Sequence, residues 1–314
     1  MHILQGFKID FMGKRRAAVI ASGVALLLCL VSMVVRGFNL GLDFTGGTLI
    51  EVEYEQPVEL ADVRAALTEG GFSGATVQHF GTLRDVMIRL APQADEGEAV
   101  SAELSDRVYQ VLGAAAESAV ELRRVEFVGP QVGEDLREDG GLAVLFSLIG
   151  ILIYVALRFE WRFSVGAVIA IIHDVFFTVG VFSIFQIEFD LPVLAAVLAV
   201  IGYSLNDTIV IFDRVRENFR KVRKGTVIEI INQSINQTLS RTFITSGTTL
   251  LVLLALFLFG GKAISGFSLA LIVGVIVGTY STIYVATAAV VALGVSRADL
   301  MPVKKEGEEL EATP

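Results

Sequence analysis

The chain contains few of the residues from which disulfides, metal sites and flexible linkers are built. Among its 314 residues are one cysteine, three histidines and six prolines. A single cysteine cannot pair within the chain, so a disulfide-stapled fold is excluded. The low proline count, together with 54% hydrophobic residues, also excludes a fibrous or disordered chain.

Charged residues are scarce as well, and they are unevenly distributed. They make up 19% of the chain, and the mean hydropathy is +0.66. Residues 38–139 hold 20 of the 34 acidic residues but only 7 of the 25 basic ones. This composition predicts a membrane protein with one acidic domain outside the bilayer. At an isoelectric point near 5.0, nucleic acid is not an expected partner.

Residues for metal, nucleophilic or ATP chemistry are too few or too scattered. The histidines (His2, His79 and His173) fall in different parts of the chain, and Cys29 lies in an apolar run. A histidine-rich metal site and a cysteine nucleophile are therefore not expected. The Gly46–Gly47 pair is too short to be a P-loop, so ATP is not an expected energy source. We expect no cofactor, no metal and no enzymatic activity.

Six predominantly apolar stretches approach or exceed the length that a hydrocarbon core of about 30 Å requires. They are residues 17–35, 141–157, 163–187, 191–212, 242–259 and 266–295. The first could instead be a signal peptide, but it is too long for one and no small-residue cleavage site follows. We therefore predict six retained transmembrane helices.

Lysine and arginine cluster in a subset of the connections, which predicts the orientation. The N-terminal segment carries four, the 158–162 turn two, the 213–240 connection six and the C-terminal tail three. Both termini are therefore expected in the cytoplasm. The chain divides into an N-terminal segment with the first helix (1–37), an extracytoplasmic domain (38–139), five further helices (140–295) and a cytoplasmic tail (296–314).

The extracytoplasmic domain shows alternating and helical hydrophobic patterns in turn, separated by turn signals. The predicted strands are 48–55, 76–80, 84–90 and 120–128, and the predicted helices are 59–69 and 100–116. This βαββαβ order predicts a ferredoxin-like α+β domain, in which two helices pack on one face of a four-stranded antiparallel sheet.

The 213–240 connection is predicted to be helical. Its basic residues extend the fourth membrane helix into the headgroup layer; they are Arg214, Arg216, Arg220, Lys221, Arg223 and Lys224. A second helix is expected to begin at Thr226, which has capping-box spacing to Glu229. This helix has an apolar stripe, which predicts an amphipathic helix lying on membrane lipid. The stripe comprises Val227, Ile230, Ile231, Ile235 and Leu239.

Asp207 is the most informative polar residue, because an acid within hydrocarbon usually faces a cavity or the helix interior. Tyr203 and Ser204 precede it at helical spacing, and Asn206 adjoins it. The alternative is a structural carboxylate that these neighbours satisfy by hydrogen bonds.

Arg241 begins the next span and is followed at helical spacing by Thr245, Thr248 and Thr249. Antiparallel pairing of the two spans would bring Arg241 and Asp207 to similar depth, so we expect an ion pair whose separation is coupled to protonation. The alternative is an arginine that reaches for the membrane surface.

His173 and Asp174 lie near the middle of the third span. Adjacent helical residues point about 100° apart, so we expect the two not to share a face. A structural and a functional role are equally open. Asp174 with Asp207 would suggest an intramembrane aspartyl protease, but no protease motif surrounds either residue.

Small residues recur every four positions in the last span, which predicts a face for close helix packing. They are Gly266, Ala270, Gly274, Gly278, Thr282 and Ala286.

Several motifs together are specific enough to suggest a family. They are GLDFTGGT at 41–48, HD at 173–174, EFD at 188–190, IGYSLNDTIVIFDRVREN at 201–218 and SRTFITSGTT at 240–249. With these motifs, essentially the whole chain resembles the SecF subunits of the bacterial SecD/SecF protein-export complex, which are relatives of the resistance-nodulation-division transporters.

This resemblance implies a six-helix subunit of the bacterial inner membrane. It would pair with SecD, dock on the SecYEG channel and use the proton-motive force to draw preproteins outward, with YajC and YidC as further partners. Asp207 matches the family's essential acid, Arg241 the arginine beside it, and Thr245 a threonine on the same stripe.

The resemblance also covers the entrance to the extracytoplasmic domain. Five residues match the family motif there, and we expect them to couple the domain to the first helix; they are Asp43, Phe44, Thr45, Gly46 and Gly47.

Two other functions remain open from the sequence: a structural scaffold for SecD and the channel, and a proton-coupled small-molecule antiporter. The coupling ion, H⁺ or Na⁺, is also open.

Overall fold

The structure is a computed structural model that describes residues 9–92, 98–116, 118–222 and 224–296. The features predicted at His2, Lys8, Arg223 and from residue 297 onward lie outside these ranges. Six of the described helical segments are long and apolar enough to cross a membrane, as predicted. They are Met12–Val35, Pro130–Arg158, Trp161–Phe185, Leu191–Lys221, Val227–Phe259 and Lys262–Ala292.

The elements follow one another in a simple order. Helix α1 (Arg15–Val35) leads through the short α2 (Leu42–Thr45) into the extramembrane domain: β1 (Gly47–Tyr54), α3 (Leu60–Glu69), β2 (Thr76–His79), β3 (Asp85–Leu90), α4 (Glu98–Ala115) and β4 (Val120–Val128). The membrane helices are then α5 (Pro130–Arg158), α6 (Trp161–Phe185), α7 (Leu191–Lys221), α8 (Val227–Phe259), α9 (Lys262–Ser281) and, after a π-helical turn at Thr282–Ala286, α10 (Thr287–Ala292).

The extramembrane domain is a four-stranded antiparallel sheet of order β2-β3-β1-β4 with two helices. The predicted order of strands and helices is confirmed. Alternate residues of β1 and β3, such as Ile50, Val52, Val86 and Ile88, are buried in one core with α3 and α4. This one-sided pattern follows from the two-residue period of a strand.

The small residues of α9 pack against α7, which confirms the predicted close-packing face. A Cβ atom added to Gly274 would lie 2.1 Å from a methyl group of Val200, and one added to Gly278 would lie 3.1 Å from the Cβ of Ser204. Farther along, the hydroxyls of Thr282 and Thr208 are hydrogen-bonded. The two helices are therefore parallel and in close contact, which sets the rotation of α7 about its axis.

The amphipathic segment at 227–240 differs from its prediction. It begins at the predicted capping box of Thr226 and Glu229, but it runs without a break into the fifth span as the 33-residue helix α8. Ile230, Ile231 and Ile235 are at most 2% exposed within the main membrane core. The prediction that this stripe lies on membrane lipid is wrong, because the last turns of α7 pack against it.

The polar face of the same segment binds other parts of the chain. Asn218 of α7 donates to the Oγ of Ser234 at 2.8 Å and to Gln237 at 2.9 Å. The Asn232 side chain accepts from the backbone N–H groups of Phe11 and Met12. These contacts explain why asparagine and glutamine, and not lysine, occupy this face.

Candidate functional site: a polar layer between membrane helices

Asp207 lies in the interior of the helix bundle, as its position in the fourth span predicted. Its side chain is 4% exposed. Among the described residues its one hydrogen-bond donor is Ser246 of α8, whose Oγ lies 3.5 Å from the carboxylate Oδ2. Ser246 also lies 2.9 Å from the hydroxyl of Thr279 on α9. The charged carboxylate therefore has little to replace the water that it loses on burial.

Arg241 lies on the exposed face of α8, and the predicted ion pair with Asp207 is not formed. Its guanidinium acts electrostatically on the Asp207 carboxylate at longer range. Within the described part of the chain, no Arg241 nitrogen lies within ion-pair distance of an acid, and the residue is exposed. Thr245 belongs to the same face and donates to the Arg241 carbonyl at 3.0 Å. Thr242 and Ser246 turn inward instead, because one residue along a helix rotates the side chain by about 100°.

The three neighbours assigned to Asp207 by sequence point in different directions. Ser204 is buried but bonds to Asp174 rather than to Asp207. Asn206 is exposed beside it. The phenolic oxygen of Tyr203 is buried without a hydrogen-bond partner among the described residues. The predicted stripe is thus divided between two carboxylates and an outer surface.

His173 and Asp174 are hydrogen-bonded to each other, although their positions on the helix were not expected to share a face. The His173 Nδ1 atom lies 2.9 Å from the Asp174 Oδ1 atom, and both residues are at most 4% exposed. The backbone positions differ by about 100°, but both side chains are flexible enough to reach across that angle. The His173 Nε2 atom is buried without a partner in the described structure.

Asp174 is much better stabilised than Asp207. Besides His173, its carboxylate accepts hydrogen bonds from Ser204 of α7 at 2.5 Å and from Ser281 of α9 at 2.7 Å. A buried carboxylate with three partners on three helices holds those helices together. The two intramembrane acids therefore differ: Asp174 is anchored, whereas Asp207 has one long hydrogen bond.

The entrance motif joins the extramembrane domain to the membrane helices. The Asp43 Oδ2 atom accepts from the backbone N–H of Leu191 at 2.9 Å, at the start of α7. Thr45 caps its own turn by donating to the Gly41 carbonyl. The Phe44 ring packs on Phe189, and Leu40 forms a β-bridge to the same residue.

The glycine pair of this motif is required by close backbone contact. Gly46 and Gly47 have φ values of 67° and 112°, in the region that favours glycine. A Cβ atom on Gly47 would lie 2.2 Å from the Leu90 carbonyl oxygen, and one on Gly46 would lie 3.0 Å from Pro130. The motif thus fits between the sheet and the first turn of α5.

Several hydroxyl residues of this polar layer were not identified from the sequence: Thr208, Ser246, Thr279, Ser281 and Thr282. Serine and threonine are weak signals in a membrane helix, because most of them bond to their own backbone. Thr248, which was singled out from the sequence, is an example: its hydroxyl donates to the backbone carbonyl of Ile244 on its own helix. The occurrence of Ser246 within the SRTFITSGTT motif was the available signal.

The layer is suited to carrying a proton. Within the described residues no group of three metal-binding side chains occurs. The chemistry available is that of a buried carboxylate, hydroxyls that can donate or accept, and one imidazole. Such groups can take up a proton on one side of a membrane and release it on the other.

Two family models match the chain. One, described as protein export membrane protein SecD/SecF, C-terminal, matches residues 108–296. The other, described as the SecD/SecF GG motif, matches residues 31–58, which include the entrance motif.

Individual proteins match over nearly the full length. The protein translocase subunit SecF of Vibrio alginolyticus is 53% identical over 98% of this chain and 97% of its own. The subunit of the same name from Escherichia coli O157:H7 is 49% identical over 95% of this chain and 92% of its own.

A solved structure shares the architecture. The crystal structure of SecDF, a translocon-associated membrane protein from Thermus thermophilus, superposes with a TM-score of 0.82 at 41% sequence identity. The match covers 93% of this chain but 39% of SecDF, so the present chain spans about two fifths of that protein. A second SecDF crystal structure, in a super-membrane-facing form, gives a TM-score of 0.68.

Proposed function

Because the chain belongs to the SecF branch of the SecD/SecF family of protein-export membrane proteins, we propose that it is one subunit of a translocation complex driven by the proton-motive force. In this complex it works with SecD to draw preproteins outward through the SecYEG channel, and it has no catalytic activity of its own. The observation that carries the proposal is the burial of Asp207 in the bundle interior with one long hydrogen bond.

The partner surface for SecD is the side of α8 that bears Arg241. Arg241 and the neighbouring Asn206 of α7 are exposed, although both belong to membrane helices. A charged group on a bare membrane helix is costly unless another protein covers it. Exposed apolar residues, such as Ile244 and Leu251, lie on the same helix. A SecD helix with an acid opposite Arg241 would neutralise the exposed charge and cover the apolar residues beside it.

Proton transfer would proceed through Asp207. A proton that enters from the outer side neutralises the Asp207 carboxylate. This removes a negative charge that otherwise acts on Arg241 and its partner. Helices α7 and α8 then shift, and the proton leaves to the cytoplasm. In this proposal the proton approaches Asp207 past Tyr203 and Ser204, while Asn206 and Thr245 belong to the surface that bears Arg241. Each charge that crosses the membrane supplies about 2.3 kcal/mol per 100 mV.

The entrance motif would transmit this shift to the extramembrane domain. Asp43 is hydrogen-bonded to the first residue of α7, the helix that carries Asp207. Arg89 of β3 forms an ion pair with Glu188 just before that helix and donates to the Leu40 carbonyl. A small movement of α7 therefore acts on the ferredoxin-like domain through contacts at its base.

The proposed setting is the bacterial inner membrane, with both termini in the cytoplasm and residues 38–139 in the periplasm, where the domain meets the emerging preprotein. YajC and YidC are further partners in this proposal. His173 and Asp174 form a second polar site, whose principal role we assign to holding α6, α7 and α9 together.

The test is the maturation of a pulse-labelled secreted precursor in cells depleted of their own SecF. Asp207→Asn is compared with the wild-type chain at matched membrane abundance, because the amide keeps the contact with Ser246 but cannot carry a proton. Precursor should accumulate with Asp207→Asn and also with Arg241→Met. The control is Asp213→Asn, which changes an acid on the same helix as Asp207 and loses an exposed ion pair with Arg158 of α5; this variant should export normally.

Two outcomes favour other functions. Normal maturation with Asp207→Asn would mean that the carboxylate is structural, and the chain would then be a scaffold for SecD and the channel. Intact export with altered drug susceptibility would favour a small-molecule antiporter.

The partner surface has its own test. A photo-cross-linking amino acid at Thr248, which is exposed on α8, should capture SecD in membranes. The same amino acid at Ile153, which is 55% exposed on α5, should not. Equal capture at both positions contradicts the assignment of this surface.

A further inference from the structure

An apolar cavity of about 290 Å³ lies where the extramembrane domain meets the membrane helices. It is lined by aromatic and aliphatic side chains, and Arg137 is the one charged residue among the described residues that line it. Phe44 of the entrance motif and Phe189 before α7 form its outer wall, and Val144 and Val179 form its inner wall. The volume is close to the lower limit of about 300 Å³ for small-molecule sites.

The position of the cavity indicates an occupant from the bilayer. Val179 is six residues before the end of α6, or roughly 9 Å below it at 1.5 Å per residue. The inner wall therefore reaches into the outer half of the hydrocarbon region. Beside it, Leu145 and Phe146 of α5 are 50% and 65% exposed, as expected for side chains that face lipid. An apolar cavity at this depth is filled by hydrocarbon in preference to water.

The cavity is also separate from the surface proposed for SecD. It lies against α5, α6 and the first turn of α7, whereas Arg241 is on α8 and the neighbouring Asn206 lies twelve residues after the cavity residue Leu194 on α7. The inference that follows therefore does not depend on the proposed function.

Charged side chains of both signs are exposed on the first turns of α5, where Arg137 lines the cavity and the acids before and after it do not. Arg137 is exposed, and within the described structure its side chain, which has five N–H donors, donates one hydrogen bond, to the Phe44 carbonyl at 2.7 Å. Four exposed acids lie within three residues of it: Glu134, Asp135, Glu138 and Asp139. Arginine binds phosphate well, but a ligand with a net negative charge would be repelled by the acids. A headgroup with a phosphate and an ammonium group is compatible with both the arginine and the acids.

We propose that this cavity binds a zwitterionic phospholipid of the outer leaflet, of the phosphatidylethanolamine class. One acyl chain enters the cavity between Val144 and Val179, the phosphate lies on the guanidinium of Arg137, and the ammonium group lies among the acids of the first turns of α5. The bound chain contacts Phe44 and Phe189, so the lipid is part of the joint between domain and membrane.

Gly141 provides a variant that fills the cavity without disturbing the fold. It lines the cavity, and a Cβ atom at this position meets nothing within 4 Å. Gly150 is its matched control, because it is on the same helix, is equally open and does not line the cavity. Leucine at either position adds the same volume to a lipid-exposed helix.

The experiment uses the full chain in lipid nanodiscs that contain phosphatidylethanolamine with a photoactivatable group in its acyl chain. Cross-linked peptides are located by mass spectrometry. Labelling should concentrate in residues 38–44 and 140–144. Gly141→Leu should reduce it about tenfold, which corresponds to about 1.4 kcal/mol, and Gly150→Leu should leave it unchanged.

The headgroup assignment is tested in parallel. Arg137→Gln should reduce the labelling, and Arg137→Lys should retain part of it, because a lysine keeps the charge but not the paired donors. Phosphatidylglycerol and phosphatidylcholine carrying the same photoactivatable chain should label the site less, since one lacks the ammonium group and the other lacks its N–H donors. Equal labelling by all three lipids, or equal labelling of the two glycine variants, would overturn the proposal and indicate ordinary lipid contact.

Discussion

The Oδ2 atom of Asp207 lies 3.5 Å from the Oγ atom of Ser246, and the ion pair expected between Asp207 and Arg241 is not formed. The acid is therefore inside the bundle, while the arginine is on its outer surface. The two residues are on neighbouring helices, and Ser246, five residues after Arg241 on α8, turns inward toward the acid. In the proposed mechanism, a proton bound at Asp207 would act on a partner at Arg241 through the position of α8.

The hydroxyl of Ser246 is expected to stabilise the fold more than it serves export. Ser246→Ala removes the described hydrogen bond to Asp207, so the free energy of unfolding should fall by about 0.5–1.5 kcal/mol. Export should persist, because the carboxylate remains. Thermal unfolding in detergent and the precursor assay measure the two effects. Thr248→Ala, an exposed change on the same helix, is the control for the stability measurement. Complete loss of export with Ser246→Ala would contradict the assignment of Asp207 alone as proton carrier.

Asp174 is expected to be a structural anchor. Asp174→Ala leaves His173, Ser204 and Ser281 buried without their shared acceptor, and the loss should be about 3–5 kcal/mol. Membrane abundance and thermal unfolding measure it. Asp213→Ala, which breaks a half-exposed ion pair with Arg158, should change stability by about 1 kcal/mol or less. Similar small losses for both variants would disprove the anchoring role.

Alanine is expected to have opposite effects on stability at two glycines of the membrane helices: Gly274 of α9, which packs on α7, and Gly247 of α8. Gly274→Ala places a Cβ atom 2.1 Å from a methyl group of Val200, whose side chain is stiff in a helix, so stability should fall by about 1–3 kcal/mol. Gly247→Ala meets nothing within 4 Å and should raise stability by about 0.4–1 kcal/mol.

A double substitution makes this prediction specific. Val200→Ala combined with Gly274→Ala should recover stability relative to Gly274→Ala alone, because the smaller side chain makes room for the new methyl group. Detergent melting curves of the four variants form a double-mutant cycle. Purely additive losses would contradict direct contact.

Asp190 is predicted to make stability depend on pH. It caps α7 by accepting from the Val193 N–H at 2.9 Å. Burial raises the pKa of Asp190 above its usual 3.8, the nearby Glu188 and Asp43 charges raise it further, and the Val193 N–H partly opposes this. The folded state therefore binds the proton more tightly than the unfolded state. The contribution of Asp190 to stability should fall as pH rises from 3.8 through the raised pKa.

Two variants separate the cap from the charge. Asp190→Asn keeps a good N-cap without a charge, so its stability relative to wild type should rise between pH 4 and pH 7. Asp190→Ala removes the cap and should cost about 1 kcal/mol throughout. Melting temperatures across this range test both expectations. A wild-type chain that gains stability over Asp190→Asn as pH rises would show that the sign is wrong.

Much of the architecture could be predicted because it depends on local patterns. The lengths of the hydrophobic stretches identified the six spans. The two-residue alternation of apolar residues identified every strand of the sheet, with each end placed within about one residue. The continuity of α8 could not be predicted in this way. A backbone helix continues through Arg241 and the polar residues before it, whereas hydropathy identifies only the apolar part.

The candidate site was predicted in its residues but not in its pairings. The position of Asp207 within an apolar span was enough to identify it, since few acids are found in hydrocarbon. Its assumed partners were chosen by depth and helical spacing. Ser204 was assigned to Asp207 but bonds to Asp174, and Arg241 was assigned to Asp207 but faces outward.

The sequence by itself determined which segments cross the membrane, the order of strands and helices in the extramembrane domain, and which acids lie inside the bilayer. These properties depend on the free energy of transferring each segment from water, which is local. Only the tertiary structure decided which side chains face one another. Each helix can rotate about its own axis, and that rotation is set by contacts such as Gly274 on Val200, between residues far apart in the chain.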